Sequence, residues 1–447
     1  MIINPCNPNM KYILCLLLFS ATISLKAQVP TFTNDIAPII YNNCTPCHKP
    51  GEAAPFSLIS YEDVSKRASF IKKVVESRYM PPWKPNNNYV HFANDRSLSE
   101  IDIKKIVGWV DAGAPQGKKL SAKERPSLIE GTSYNRSPDL SLKQVASYIV
   151  PGDNLERFIV YKIPFEIPDS ANVEAIEFFS NNKKLIHHAN FAIHPVPEPI
   201  DIKSAAAMIN LTEQDRRLYD QYMPFKTRMT YYGGWIPGTS VENYPQGIGW
   251  VMPKRGVILM TVHYGPTPKD ADVVSGVNFF FTKKPIQRVV QAISLGSAGI
   301  GEEDILPRFT FIPPNKVSRF TLKVANRTED RSVLFLWPHM HLLGKEFKTY
   351  AVTPEFDTIP LVHIPQWDFR WQEIYRVKNL IKLPKGSIIN IEGDYDNTSE
   401  NPFNPNNPPE AVYSWGDMKT NEEMMTLIMI FLPYKEGDEK MDLIFKK

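Results

Sequence analysis

Five consecutive residues, Cys44-Thr45-Pro46-Cys47-His48, constrain this chain more than any other feature. Cys-x-x-Cys-His is the attachment pattern of a c-type haem: two thiols bond the porphyrin vinyl groups and the adjacent imidazole is set on the iron. A redox-active Cys-x-x-Cys pair is the alternative, and it has no use for the immediate histidine. The other two cysteines, Cys6 and Cys15, lie in or before an export signal. Lys11 gives that signal a positive flank, Tyr12 to Leu25 is mostly apolar, and Leu25-Lys26-Ala27 offers a small residue for cleavage before Gln28. Met10 is an alternative start, and an uncleaved anchor is the bland alternative to cleavage. The apolar run is short for a membrane span. The expected mature chain is periplasmic or secreted, does not span the membrane, and has only Cys44 and Cys47, so it is disulfide-free.

Composition sets the rest of the frame. A chain of 447 residues has room for two to four domains at about 150 residues each. Its 43% hydrophobic and 22% charged residues are ordinary for a soluble globular protein. A formal net charge of +3 gives no reason to expect nucleic acid as a partner. Proline outnumbers glycine, 39 to 22, which suits short strands joined by rigid turns.

Three textures follow along the chain. Residues 1–27 are the signal and 28–118 read as helical pieces around the cysteine motif. Asn34 to Tyr41, Ser60 to Ser77 and Ser97 to Ala112 have amphipathic spacing, and Ser97 or Ser99 can cap the last. Residues 119–150 are a polar linker with one or two early strands. Beyond 150 the signal is β: Phe158–Tyr161, Val173–Phe179, Val257–Val262, Val277–Phe281, Phe309–Ile312, Val333–Trp337, Lys348–Val352, Ile388–Glu392 and Met425–Leu432. The expected fold is multidomain: a small all-α domain, then two antiparallel β-sandwich domains at 151–300 and 301–447. Met80, in Tyr79-Met80-Pro81-Pro82, is the best candidate for the second axial haem ligand, with His91 the other nearby option. The pattern from Thr33 to Gly117, including Gly108-Trp109-Val110-Asp111-Ala112-Gly113-Ala114-Pro115, resembles small class I cytochromes c.

Nine histidines are spread unevenly. His187-His188 is a tandem pair, His263 lies in Val262-His263-Tyr264-Gly265, and His339 and His341 form His-x-His. In a strand, His-x-His puts both imidazoles on one face, a natural chelate. A tandem pair converges on one metal only where the backbone bends. Imidazole suits copper, zinc, iron or nickel. A blue-copper site would need a thiolate, and no cysteine follows Cys47. Imidazole with a late thioether, from among Met418, Met424, Met425 and Met429, points to copper that changes oxidation state.

The order His-His, Val-His-Tyr-Gly, His-x-His-x-x-Gly and an acidic-Glu-Met motif resembles the copper type II, ascorbate-dependent monooxygenases, over roughly residues 150 to 435. The resemblance implies two jelly-roll domains facing each other across a solvent-filled cleft, with one copper in each. It implies that His187, His188 and His263 hold an electron-storing copper, and that His339, His341 and Met424 hold the oxygen-activating, catalytic one. Met425 stands where the family has a cysteine, so Met424 is the aligned thioether and Met425 its neighbour. Trp337 replaces the arginine that peptide-amidating members carry two residues before His-x-His, and Ile428 replaces their tyrosine. Peptide amidation is therefore not expected, and a more apolar substrate is. The implied reaction inserts one oxygen atom of O2 into a C–H bond of a small organic substrate and reduces the other atom to water. The two electrons come from an external donor, ascorbate-like or a redox protein. The fused haem is expected to pass them to the His187/His188/His263 copper. The other readings are a non-catalytic copper-binding or electron-transfer cytochrome, and a zinc hydrolase with Glu346 or Asp394 as base. His91, His194, His363 and the Gly233–Gly238 turn have bland readings.

Overall fold

The computed structural model describes residues 29–121, 123–124, 134, 136–213, 216–239, 241–308, 311–414, 422–441 and 443. The expected export signal, with Cys6, Met10 and Cys15, lies outside the described residues, as does Met418. The regular structure of the described chain is mostly β-strand, arranged in several sheets, with few helices. No helix among the described residues is long and apolar enough to cross a membrane.

Among the described residues the α-helices lie before residue 112, and the later helical segments are 3-10. Ser99 caps Glu100–Asp111 by accepting from the Asp102 N–H, and Glu100 and Asp102 in the first turn complement the helix dipole. The expected Ser60–Ser77 helix is two pieces, Tyr61–Ser65 and Ala68–Glu76, because Arg67 leaves helical backbone angles (φ −116°, ψ 10°). Phe32, Ile36, Ile40, Val64, Ile71, Ile106 and Trp109 form a small core of their own. The stretch from Trp83 to Arg96 leaves that core and lies along the β region. Asn86 N–H donates to His363 O (2.8 Å) and Ala93 N–H to Arg376 O (2.7 Å). Phe92 joins the main β core, and the Trp83 and Phe92 rings sit 5.5 and 5.2 Å from that of Tyr375.

The strands follow the apolar runs. An antiparallel sheet has the order Met208–Asn210, Arg157–Glu166, Arg255–Tyr264, Ile186–Pro195, Tyr231–Trp235. A second sheet is built on Ala171–Ser180 and Ser275–Phe281. Ile159, Tyr161 and Ile163 from the first and Val173, Ile176, Val277 and Phe279 from the second share one core. Later in the chain, Gln291–Gly296, Thr426–Pro433, Arg331–His339 and Tyr375–Leu383 form one four-stranded sheet. Lys316–Ala325, Ile388–Asn397, Gly344–Val352 and Thr358–Ile364 form another. Gln291–Gly296 thus pairs with a C-terminal strand although it precedes residue 300. Leu140–Lys143 and Tyr148–Val150 are strands within 119–150. Phe309–Ile312 is not a strand where described: Ile312 makes an isolated bridge to Val412, and Pro313 and Pro314 after it cannot donate to a ladder.

Candidate metal centres

The Cys44–His48 turn sits at the end of the Ala37–Asn43 helix. Cys44 and Cys47 are free thiols, half-buried, and burial pushes Cys44 up to about 12. His48 Nδ1 is 3.0 Å from Phe56 O. A carbonyl only accepts, so Nδ1 carries the proton and Nε2 keeps its lone pair, the state a metal ligand needs. The turn could therefore hold a haem by two thioethers and one axial imidazole. Met80 is half-buried, with its N–H on Val74 O (3.1 Å). Among the described residues it makes no hydrogen bond or ring contact with that turn.

His187, His188 and His263 come together through a bulge. His263 pairs with His188, but Tyr264 pairs with Ile186, so His187 has no partner of its own. A bulged residue bends the strand and re-aims its side chain. The His187 and His188 rings consequently lie 4.7 and 5.0 Å from that of His263. Phe158, the cross-strand partner of His263 on the other side, stacks on it at 4.0 Å. His188 Nε2 is 3.2 Å from His263 Nδ1. Burial holds all three imidazoles below their ordinary pKa, His188 and His263 well below.

His339 ends its strand and His341 follows it, and their Nε2 atoms are 3.1 Å apart. His341 Nδ1 lies 2.8 Å from Glu422 O. His339 Nδ1 bonds the Gln372 side-chain oxygen, and the Gln372 amide N–H on Phe369 O (2.8 Å) fixes which end faces the ring. Both Nδ1 atoms therefore carry protons, and burial lowers His339 to about 4. Two Nε2 lone pairs converge on one point. The Glu423 carboxylate clamps the turn, accepting from His341 N–H (2.9 Å) and Leu343 N–H (2.7 Å). Met425 is fully buried against Gly393, where an added Cβ would meet its sulfur at 3.0 Å. Met424 lies outside that core cluster, and its carbonyl accepts from Tyr395 OH (2.7 Å).

The two histidine groups are neighbours. The Phe369 ring lies 5.8 Å from His188, 6.0 Å from His263 and 5.6 Å from His341. Trp337 pairs with Ile428 across the strands, and its ring packs 5.3 Å from Tyr232. Gly233 and Gly234 belong to a strand rather than a turn, and a Cβ on Gly234 would strike the Trp337 ring at 2.5 Å. Glu346 is taken by His363 (2.9 Å) and Asp394 by Arg319 (2.6 and 2.7 Å). His194 Nδ1 bonds Arg228 O (2.7 Å), and His91 lends its carbonyl to Lys378. Glu156, Gln372 and Phe369 escaped the sequence reading, since none belongs to a spaced motif. Glu423 stood beside Met424 in plain view without a stated role.

No family model matches this chain, and no curated protein does. Among solved structures, allantoicase shares 9% identity over 56% of this chain and 81% of that chain, at a TM-score of 0.16. The major capsid protein P2 of Bacteriophage PM2 shares 6% over 67% and 99%, at 0.22. A Paenibacillus xanthan lyase shares 8% over 72% and 29%, at 0.16. Scores this low carry no argument about this protein.

Proposed function

We propose that this protein is an exported, haem- and copper-dependent monooxygenase that hydroxylates a C–H bond of a small organic substrate with O2. On this reading the helical part is a class I cytochrome c unit, and the sheets make two jelly-roll domains with one copper each. The observation that carries it is the His339–His341 pair. Two neutral imidazoles whose Nε2 lone pairs meet at 3.1 Å repel each other unless a cation lies between them. Copper bound there would supply one-electron chemistry toward O2, with Met424 as the soft ligand that favours the cuprous state. His187, His188 and His263 would hold the other copper, and Cys44, Cys47, His48 and Met80 the haem.

The chain's own groups have definable tasks. Gln372 and the Glu422 carbonyl keep the protons of His339 and His341 on Nδ1. Glu423 holds the turn between His341 and Leu343. Trp337, Ile428 and Tyr232 give the neighbourhood of His339 an apolar wall, which suits an apolar substrate and keeps water out. A hydrolase would need Glu346 or Asp394 as base, and both are held elsewhere.

Metal analysis of the purified protein should find two coppers and one iron per chain. A metabolite screen under mass-labelled O2 should then give a product carrying one labelled oxygen. Copper without labelled product would favour a non-catalytic copper-binding cytochrome. Zinc in place of copper would end the monooxygenase reading.

A further inference from the structure

The first histidine group contains a fourth donor that no motif announced. Glu156 Oε2 lies 3.2 Å from His263 Nε2, and Glu156 Oε1 lies 3.7 Å from His187 Nδ1. One donor atom from each of Glu156, His187 and His263 falls within 4.8 Å of the others. Metal–ligand bonds of about 2.0–2.2 Å at tetrahedral angles put neighbouring donors roughly 3.4 Å apart. The observed separations bracket that spacing. His263 adds a second sign: its side chain is fully buried, and among the described residues its Nε2 makes no hydrogen bond although Glu156 Oε2 lies 3.2 Å away. A buried polar nitrogen left so costs free energy unless something else satisfies it.

We propose that Glu156 is a ligand of the first metal centre, which is therefore a mixed carboxylate–imidazole site built on Glu156, His187 and His263 Nε2. This rests on the reading above for the identity of the metal as copper. It changes the place of His188, whose Nε2 faces the other ring nitrogen of His263 at 3.2 Å, on the side shared with Phe369. The site is reachable: the Glu156 and His187 side chains are 43% and 39% exposed, so a cation can enter without unfolding the sheet. A carboxylate is a harder donor than imidazole or thioether. It biases this centre toward the oxidised, divalent metal, whereas the thioether at the other centre favours the reduced one.

The test is a Cu2+ titration of the full-length, metal-stripped protein, followed by electron paramagnetic resonance and by metal content after gel filtration. Glu156→Gln, Glu156→Asp and His187→Ala are compared with the parent chain, and urea midpoints confirm folding. Glu156→Gln should lose about tenfold to a hundredfold in affinity for one of two Cu2+ equivalents. It should also change the hyperfine pattern of that equivalent alone, and Glu156→Asp should recover part of both. Wild-type titration and spectrum in Glu156→Gln, while His187→Ala drops one equivalent, would overturn the carboxylate ligand and leave a histidine-only copper centre standing. If His187→Ala also keeps both equivalents, no metal binds there, and the copper reading of this centre falls with the proposal.

Discussion

Two adjacent buried methionines give the sharpest test at the scale of single residues. Met425 is fully buried in the main core against Gly393, so Met425→Ala should cost about 2–5 kcal/mol by leaving a cavity. Met424 is also buried, at 8% exposure, but lies outside that cluster. Met424→Ala should cost less stability than that and weaken Cu+ binding at the His339/His341 centre, read by urea midpoints and by competition with a cuprous chelator. The reverse pattern would make Met425 the ligand. Protonation gives a second prediction. Burial holds His187, His188, His263 and His339 below their ordinary value of 6.5, His339 at about 4. The unfolded chain takes up protons near pH 6.5 that these folded imidazoles refuse, so stability is present above 6.5 and lost as the pH falls toward 4. Glu423 acts in the opposite sense. Burial, outweighing its backbone donors, pushes its carboxyl from 4.5 up to about 8, and stability drains as the pH rises across that interval. With His48 and His194, six lowered imidazoles oppose four raised carboxyls, Glu156, Glu242, Glu373 and Glu423, below pH 6.5. Urea midpoints of the metal-free protein should fall from pH 6.5 to 5, and Glu423→Gln should flatten the decline between 6.5 and 8. A midpoint that climbs as the pH drops to 5 would contradict the assignment.

Among elements, the bulge at His187 decides the first centre. In a regular ladder His187 and His188 would point to opposite faces, and only one could join His263. The bulge is backed by Gly265, whose N–H donates to Leu185 O (2.7 Å) and whose missing Cβ leaves room for His187. An added Cβ would lie 2.7 Å from His187 Nε2. Gly265→Ala should therefore displace the His187 ring, cost one copper equivalent by metal analysis and leave the sheet folded by circular dichroism. Retention of both equivalents would show that the ring has other room. Such a device explains what could be read from the amino-acid order. The alternating and apolar runs gave away the Arg255–Tyr264 and Arg331–His339 strands, and Ser99 gave away a helix start, because those signals are local. His-x-His announced two neighbouring imidazoles for the same reason. The tandem pair left its convergence open, since a bulge belongs to the register between two strands far apart in the chain. Glu156 and Gln372 reach the histidines only once the sheets have formed, and nothing near them in sequence marks the meeting.

For the whole molecule, one buried seam joins the Cys44–His48 turn to the β sheets. Arg96 pairs with Glu373, whose other oxygen accepts from Asn94 (3.0 Å), and both charged side chains are largely buried, at 16% and 9% exposure. Gly238, at φ +86°, lies so close that a Cβ there would be 2.4 Å from Arg96 and 2.6 Å from Cys47 Sγ. Glu52 and Lys183 add a second tie at 3.1 Å, at 20% and 19% exposure. Losing one partner of a buried pair leaves an uncompensated charge, so Arg96→Leu should lower stability by roughly 3–5 kcal/mol, while Arg96→Leu with Glu373→Leu should recover much of it. Denaturant midpoints of the three proteins check this. The seam also leads somewhere: Glu373 is next to Gln372, which bonds His339, so the Cys44–His48 turn is linked to the second centre through a run of touching and bonded groups. The tie through Lys183 leads instead toward His187. If electrons follow the seam to the second centre, and not the expected route to the His187/His188/His263 copper, the double variant should keep its iron and copper yet show slower reoxidation of the haem when its reduced form is exposed to oxidised copper in a stopped-flow experiment. An unchanged rate in the double variant, with a slower one in Lys183→Ala, would send the electrons to the His187 side, and the buried ion pair would then be a structural weld alone.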